Sequence, residues 1–171
     1  PGVLVQHGPI LRVVFGPRDP SYISPILSAI QSDLCESGID GVLSTHIQRD
    51  ALEKFSYVSP IGAAGVYLHA VAGDFQKEGP ARELFKSMIR EISALAAAMG
   101  YPFEKDYVKI NLEILSNLSA DATTSMQRDI MEGKPSELDG LVMEPLRLAK
   151  KYSVSMPCYE EVAKVLCPSE F

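Results

Sequence analysis

The chain predicts a mainly α domain preceded by a short N-terminal β-hairpin, and three observations carry that prediction. From about residue 20 onward, apolar residues recur at three- and four-residue spacing, the period of helices with one buried face. Prolines open several of these stretches and glycines close them, as in Pro80 to Gly100, which is the asymmetry helix termini prefer. β-Branched and apolar runs without that period occur at the N-terminus, in Val3-Leu4-Val5 and Ile10 to Phe15.

In chain order, His7-Gly8-Pro9 separates the two strand-like runs and reads as a hairpin turn. Gly16-Pro17-Arg18-Asp19-Pro20 is a linker. Ser21 to Glu36 fits a helix that closes before Gly38. Ile47 to about Ala72 fits a long helix bent near Pro60 and Gly62. Pro80 to Met99 is the clearest helix, with Leu84, Phe85, Met88, Ile92 and Leu95 on one face and Gly100 as its stop. Glu104 to Leu118 follows. Thr124 to Pro157 reads as two helices around a break: Gly133 ends the first and Pro135 blocks its continuation. Ser136 is expected to cap the second, with Asp139 as its partner three residues on. Pro157 to Leu166 is a last short helix. The lone hairpin is marginal by itself and wants a larger sheet to join.

At 171 residues, one domain or one domain plus an appendage is expected, and 46% hydrophobic residues are ample for a core. A net charge of −6 argues against a nucleic-acid binder, which normally carries a basic stripe. No basic run offers a membrane patch. The longest weakly polar run, Phe55 to Gly73, holds Ser56, Ser59, Pro60 and His69; a membrane span needs about 20 predominantly apolar residues, so this is a buried helix. Cys35, Cys158 and Cys167 are odd in number and form no CxxC, which suits a reducing cytoplasm. The histidines (His7, His46, His69) are scattered, and no metal-ligand spacing is present. A signal-peptide pattern is absent at Pro1, and the strand-like start suggests a piece of something longer.

Lys54 is the sharpest chemical candidate. Ile47, Ala51, Lys54, Val58 and Ile61 step by three or four residues, so the lysine falls in an apolar stripe expected to face the core. A lysine so placed is desolvated, and its pKa falls toward the range useful in proton transfer. On periodicity alone, a lysine that snorkels to the surface or pairs with Asp50 one turn back explains the position better. Ser125, in the first turn of its helix, sits beside unpaired backbone N–H groups that suit a carboxylate, or it is simply a capping serine. Glu137 either accepts a hydrogen bond from a ligand hydroxyl or merely complements a helix dipole. Asn111 reads as a satisfied core amide, Cys158 as a structural thiol despite its place at a helix start, and His46 as a surface group. No GxGxxG joins a strand to a helix, and Gly62-Ala63-Ala64-Gly65 suits close helix packing instead of a phosphate.

The order Ser125-Met126, Asp129 four residues after the serine, Gly133-Lys134-x-Ser136-Glu137-x-Asp139, an amphipathic helix and Pro157 resembles the C-terminal domain of the ketopantoate reductase (2-dehydropantoate 2-reductase) family. The resemblance covers residues 1–167 and is most specific from Thr124 to Pro157. It implies a multi-helix domain of the 6-phosphogluconate dehydrogenase C-terminal-like type. Residues 1–20 then correspond to terminal strands and a linker from a missing Rossmann-type domain, and residues 21–171 to the helical substrate-binding domain. It further implies a cytoplasmic oxidoreductase that reduces ketopantoate to pantoate, with NADP held by the missing N-terminal domain, and a homodimer. Lys54 would be the general acid, with Ser125 and Glu137 binding substrate and Asp129 supporting them. The chain departs from the family in three places: Leu52 stands where a Trp is usual, and Val58 and Gly62 stand where asparagines help to hold the substrate. Two rivals follow: a paralogous reductase of another 2-keto or hydroxy acid, and a non-catalytic helical dimerisation module.

Overall fold

The computed structural model describes Gly2, residues 11–22 and residues 24–170. It divides into two compact units, Pro1–Asp50 and Ala51–Phe171. Of the expected hairpin, the first run and the turn lie outside the described residues, and the second run, Ile10 to Phe15, is described from Leu11 onward.

In the first unit, strand β1 (Arg12–Phe15) pairs with strand β2 (Asp40–Leu43), and helix α1 (Pro25–Glu36) connects them. The pairing is parallel, with Arg12 opposite Asp40 and Phe15 opposite Leu43. Parallel neighbours need a crossover, and α1 supplies it. Strand β2 was not foreseen, because Asp-Gly-Val-Leu is too short to show a period. Gly41 within it lets α1 approach: a Cβ there would stand 2.9 Å from Leu34 Cβ. Helix α1 starts at Pro25, after a 3₁₀ turn at Pro20–Tyr22, and ends at Glu36, with Gly38 just beyond it at φ +79°. None of its residues is buried, and Val13, Val14, Ile26 and Ile30 are exposed.

The mainly α prediction holds in the second unit. Helix α2 (Ile47–Leu68) enters it from Ala51, followed by α3 (Ala72–Gln76), α4 (Pro80–Ala98), α5 (Tyr107–Ser116) and α6 (Ser125–Met131). A π-helical turn (Asp139–Met143) leads into α7 (Glu144–Tyr152), and α8 (Pro157–Leu166) follows. Helix α4 is the centre: Phe85, Met88, Ile89, Ile92, Leu95 and Ala96 are buried at helical spacing, and α3, α5, α7 and α8 pack around it. Helix α2 stops at Leu68, short of Ala72, because His69 turns left-handed (φ 52°). No helix among the described residues is long and apolar enough to cross a membrane.

Two prolines inside helical segments each orphan a carbonyl, since proline has no N–H to give to the residue four before it. Pro60 leaves the Ser56 carbonyl, and Asn111 Nδ2 donates to it at 3.0 Å. Asn111 is therefore the satisfied core amide that was expected. Pro145 leaves the Leu141 carbonyl, and Ser59 Oγ donates to it at 2.6 Å. Ser59 has one proton, so the Tyr159 hydroxyl donates to Ser59 Oγ at 2.5 Å. This buried chain ties α2 to the π turn and to α8.

The caps differ in detail from expectation. Thr124 caps α6 in a capping box: its Oγ1 accepts from Gln127 N–H, and Gln127 Oε1 accepts from Thr124 N–H at 2.9 Å. Gly133 ends that helix in the left-handed region, as expected. Asp139 does not serve Ser136. The segment starts at Leu138 without a side-chain cap, and Asp139 accepts both arms of the Arg147 fork instead, at 2.9 and 2.8 Å. The bidentate charged pair outcompetes a single bond to a serine.

Replacing Ser59 by Ala strands a buried carbonyl and a buried phenol, and Asn111→Leu strands the Ser56 carbonyl; each is expected to cost about 2 kcal/mol. Tyr159→Phe spares the Ser59–Leu141 bond and is expected to cost about 1 kcal/mol. Urea denaturation of the three variants checks the ranking.

Candidate active site

Lys54 is exposed, and so are Ala51 and Val58 beside it. The expected core-facing stripe is thus open from Ala51 to Val58 and becomes buried only at its far end, Ile61. Over its first three turns α2 buries only Ser56, on the side away from the lysine, and from Ser59 to Gly65 it is buried all round. Small and hydroxyl-bearing residues are buried there because α2 lies close to its neighbours. A Cβ on Gly65 would stand 2.8 Å from the Gln127 amide. Hydrophobicity alone therefore points to the face that carries Lys54.

Lys54, Val58 and Gly62 lie along one side of α2, with Gly62 about 12 Å from the lysine along the axis. At Gly62 the other two segments arrive. A Cβ there would meet Met126 Cε at 3.1 Å, Leu141 Cδ1 at 3.8 Å and Thr124 Oγ1 at 3.9 Å. Thr124 and Met126 flank Ser125, which is exposed at the first position of α6. Leu141 N–H donates to the Glu137 carbonyl at 2.8 Å, one turn below, and Glu137 is exposed. The fold thus brings the serine- and glutamate-bearing segments to the far end of the lysine's face. Among the described residues no hydrogen bond or ion pair joins Lys54, Ser125 and Glu137 to one another. Asp129 is half-buried one turn after Ser125, and its carbonyl accepts from Lys134 N–H at 2.8 Å, which closes α6. The Arg147 fork holds the Asp139 carboxyl below the usual carboxylate range.

Tyr57 was missed by the sequence argument. Its ring stands edge-on to Phe85, 6.0 Å between centroids, and its hydroxyl is buried without a hydrogen-bond partner. Burial pushes that phenol up. No sequence signal marks such a residue, because orphaning depends on what lies across the helix. Tyr57 lines a cavity of about 230 Å³ together with Ile61, Phe75, Ile114, Leu118 and Thr124. A larger groove of about 450 Å³ runs past Gly65, His69, Ile130 and Met131.

The turn after β1 does not offer a dinucleotide phosphate a cradle. The turn after β1 contains Pro17 and Pro20, which lack the N–H groups a phosphate cradle uses. The space over Gly16 is filled, since a Cβ there would stand 2.2 Å from the Ser44 carbonyl oxygen. No group of His, Cys, Asp and Glu suited to a metal ion occurs among the described residues.

Residues 46–168 match the family described as "Ketopantoate reductase PanE/ApbA C terminal". A 2-dehydropantoate 2-reductase from Aquifex aeolicus is 26% identical over 163 residues, covering 93% of this chain and 52% of that protein. The chain therefore spans about half the length of that relative. The crystal structure of 2-dehydropantoate 2-reductase from Methylococcus capsulatus superposes with a TM-score of 0.83 at 23% identity, over 96% of this chain and 52% of that one. A D-mandelate dehydrogenase, solved with NADH and anilino(oxo)acetate, superposes with a TM-score of 0.77 at 16% identity, over 93% and 66% of the two chains. At these identities the two structures establish the fold.

Cys158 takes the structural place expected of it. The helix-start N–H groups that would favour a thiolate are already used: Cys158 and Tyr159 N–H donate to the two oxygens of Glu91, at 2.8 and 3.1 Å. Burial, and then the Glu91 carboxylate, push the thiol up to about 11. Exposed Cys35 is expected to take iodoacetamide readily at pH 8, while Cys158 reacts slowly and gains rate about tenfold per pH unit until pH approaches 11. Peptide mass spectrometry of the alkylated protein across pH measures both.

Proposed function

The chain belongs to the ketopantoate reductase family through its C-terminal helical domain, and from that premise we propose that it is the substrate-binding half of an NADPH-dependent reductase of a 2-keto acid. The first substrate assigned is 2-dehydropantoate, reduced to pantoate in pantothenate synthesis. The observation that carries this proposal is the face of α2 on which Lys54 stands open, with the segments of Ser125 and Glu137 meeting it at Gly62.

Reduction of a ketone needs a hydride at carbon and a proton at oxygen. The hydride comes from a nicotinamide cofactor, which we assign to a Rossmann-type domain outside this chain, since the turn after β1 offers no cradle for it. Lys54 contributes the proton. As the carbonyl π bond breaks, negative charge develops on oxygen; the ammonium stabilises that charge, its N–H bond breaks, and the new O–H bond forms, leaving a neutral amine. Ser125, on the first turn of α6, binds the carboxylate with help from the positive end of the helix. Glu137 accepts the substrate hydroxyl, and Asp129 braces the turn between them. The whole protein is proposed to act in the cytoplasm as a homodimer.

Val58 and Gly62 favour a second assignment, a paralogous reductase of another 2-keto or hydroxy acid, because neither offers the amide that would anchor a polar substituent. The likeness to a D-mandelate dehydrogenase is in keeping with it.

In the full-length protein, Lys54→Ala is expected to lower kcat with 2-dehydropantoate by about 10²- to 10⁴-fold while circular dichroism stays unchanged. Ser125→Ala is expected to act mainly on KM. NADPH oxidation, followed at 340 nm in the assay, reads both. Undiminished turnover by Lys54→Ala removes the lysine as the acid. No turnover of any 2-keto acid by the wild type favours the non-catalytic dimerisation module.

A further inference from the structure

The cavity beside Tyr57 lies on the same side of α2 as Lys54. At 3.6 residues per turn, Lys54, Tyr57, Val58 and Ile61 fall within about 100° of arc, with Tyr57 one turn and Ile61 two turns past the lysine. Two of these four residues, Tyr57 and Ile61, line the cavity, and its mouth is apolar, with Ile114 and Leu118 44% and 40% exposed. The polar side chains in its wall are already engaged. Gln127 Nε2 donates to the Ala70 carbonyl at 2.7 Å, and the Thr124 and Gln127 side chains serve each other's backbone in the α6 cap. Among the described residues of the wall, the Tyr57 hydroxyl is the side-chain polar group left unengaged. The positions that face along the helix from the lysine, Val58 and Gly62, add no polar anchor.

We propose that this cavity is the specificity pocket of the site, and that it receives a branched or aromatic apolar substituent of the 2-keto acid whose carbonyl meets Lys54. The proposal rests on the reading of Lys54 as the reacting group's partner and deepens it by naming the substrate class. Apolar walls of this size favour a substituent in proportion to the area it hides from water. A polar substituent would give up its hydration there and find one hydroxyl in return. Tyr57, Ile61, Ile114 and Leu118 are then the residues that set substrate choice.

The test reads binding, so that it stands apart from catalysis. Full-length protein saturated with NADPH is titrated calorimetrically with oxamate, N-isobutyloxamate and N-benzyloxamate, 2-keto acid mimics whose amide carbonyl resists hydride. The substituted compounds are expected to bind at least tenfold more tightly than oxamate. Ile114→Trp and Leu118→Trp, which fill the mouth from exposed positions, are expected to erase that gain while oxamate itself changes less than twofold. Tyr57→Phe is expected to keep the gain. The proposal is overturned by an absent gain in the wild type, by a gain that survives both tryptophan variants, or by its tenfold loss in Tyr57→Phe, which would mean that the hydroxyl recognises a polar ligand atom. Turnover of 2-keto acids without a substituent gain leaves the proposed function standing and removes the pocket. A gain sensitive to both tryptophans without turnover of any 2-keto acid does the reverse.

Discussion

The hydroxyl of Ser59 is the point on which the second unit turns. It donates to the carbonyl that Pro145 leaves without a partner and receives the phenol of Tyr159. One small side chain thereby fixes three segments: the middle of α2, the π turn before α7, and the first turn of α8. In a dry interior each of these polar groups is costly alone, so the three hold one another in place. The π turn is a consequence of the same constraint. With no N–H at Pro145, the helix widens there, and the Glu144 N–H reaches back to the Asp139 carbonyl, five residues before it.

What Ser59 fixes is the approach of α2 to its neighbours, and the composition of α2 follows from it. Ser56, Ala63, Ala64 and Gly65 are buried because larger side chains would hold the helices apart. At Gly65 the amide of Gln127 occupies the space where a Cβ would stand. Enclosure of the helix from Ser59 to Gly65 leaves the turns before it to carry Lys54 and Val58 in the open, and the close approach there delivers Thr124, Met126 and Leu141 to Gly62. The position of Ser125 and Glu137 relative to the lysine's face is therefore set by core contacts and not by any contact among those three side chains.

The same physics decides what was legible in the sequence. Helices α4 and α8 were placed almost to the residue because proline and glycine punctuate their ends and α4 repeats large apolar residues at helical spacing. The motif from Thr124 to Pro157 identified the family without any knowledge of contacts. Strand β2 was missed because four residues are too few to display a period. The orientation of α2 was misjudged for a deeper reason. Periodicity asks which face of a helix is most hydrophobic, whereas burial of this helix changes along its length: Ala51, Lys54 and Val58 are open, and every residue from Ser59 to Gly65 is enclosed. Asp139 was misassigned because a capping bond is local and visible in sequence, while its stronger partner Arg147 lies two turns away. The Tyr57 hydroxyl was invisible for the complementary reason, since it is defined by a partner it lacks.

The open face of α2 makes a physical demand on the proposed chemistry. An ammonium exposed to water stabilises a developing alkoxide weakly, because water screens the attraction between the charges. Lys54 is exposed in this chain, so the desolvation that a general acid needs has to come from whatever closes over α2 when substrate is bound. Burial of the lysine by this chain's own core, the arrangement that periodicity suggested, would have supplied that desolvation permanently, at a standing cost to stability and with no route for a substrate. An exposed lysine beside an apolar cavity divides the task differently. On the proposed reading, the substituent in the cavity and the surface that covers the face would exclude water together, and the acid would become effective when a suitable keto acid is in place. Substrate choice and proton transfer would then be coupled through one helix face, which is what the proposal asks of the apolar residues around Tyr57 and of Lys54.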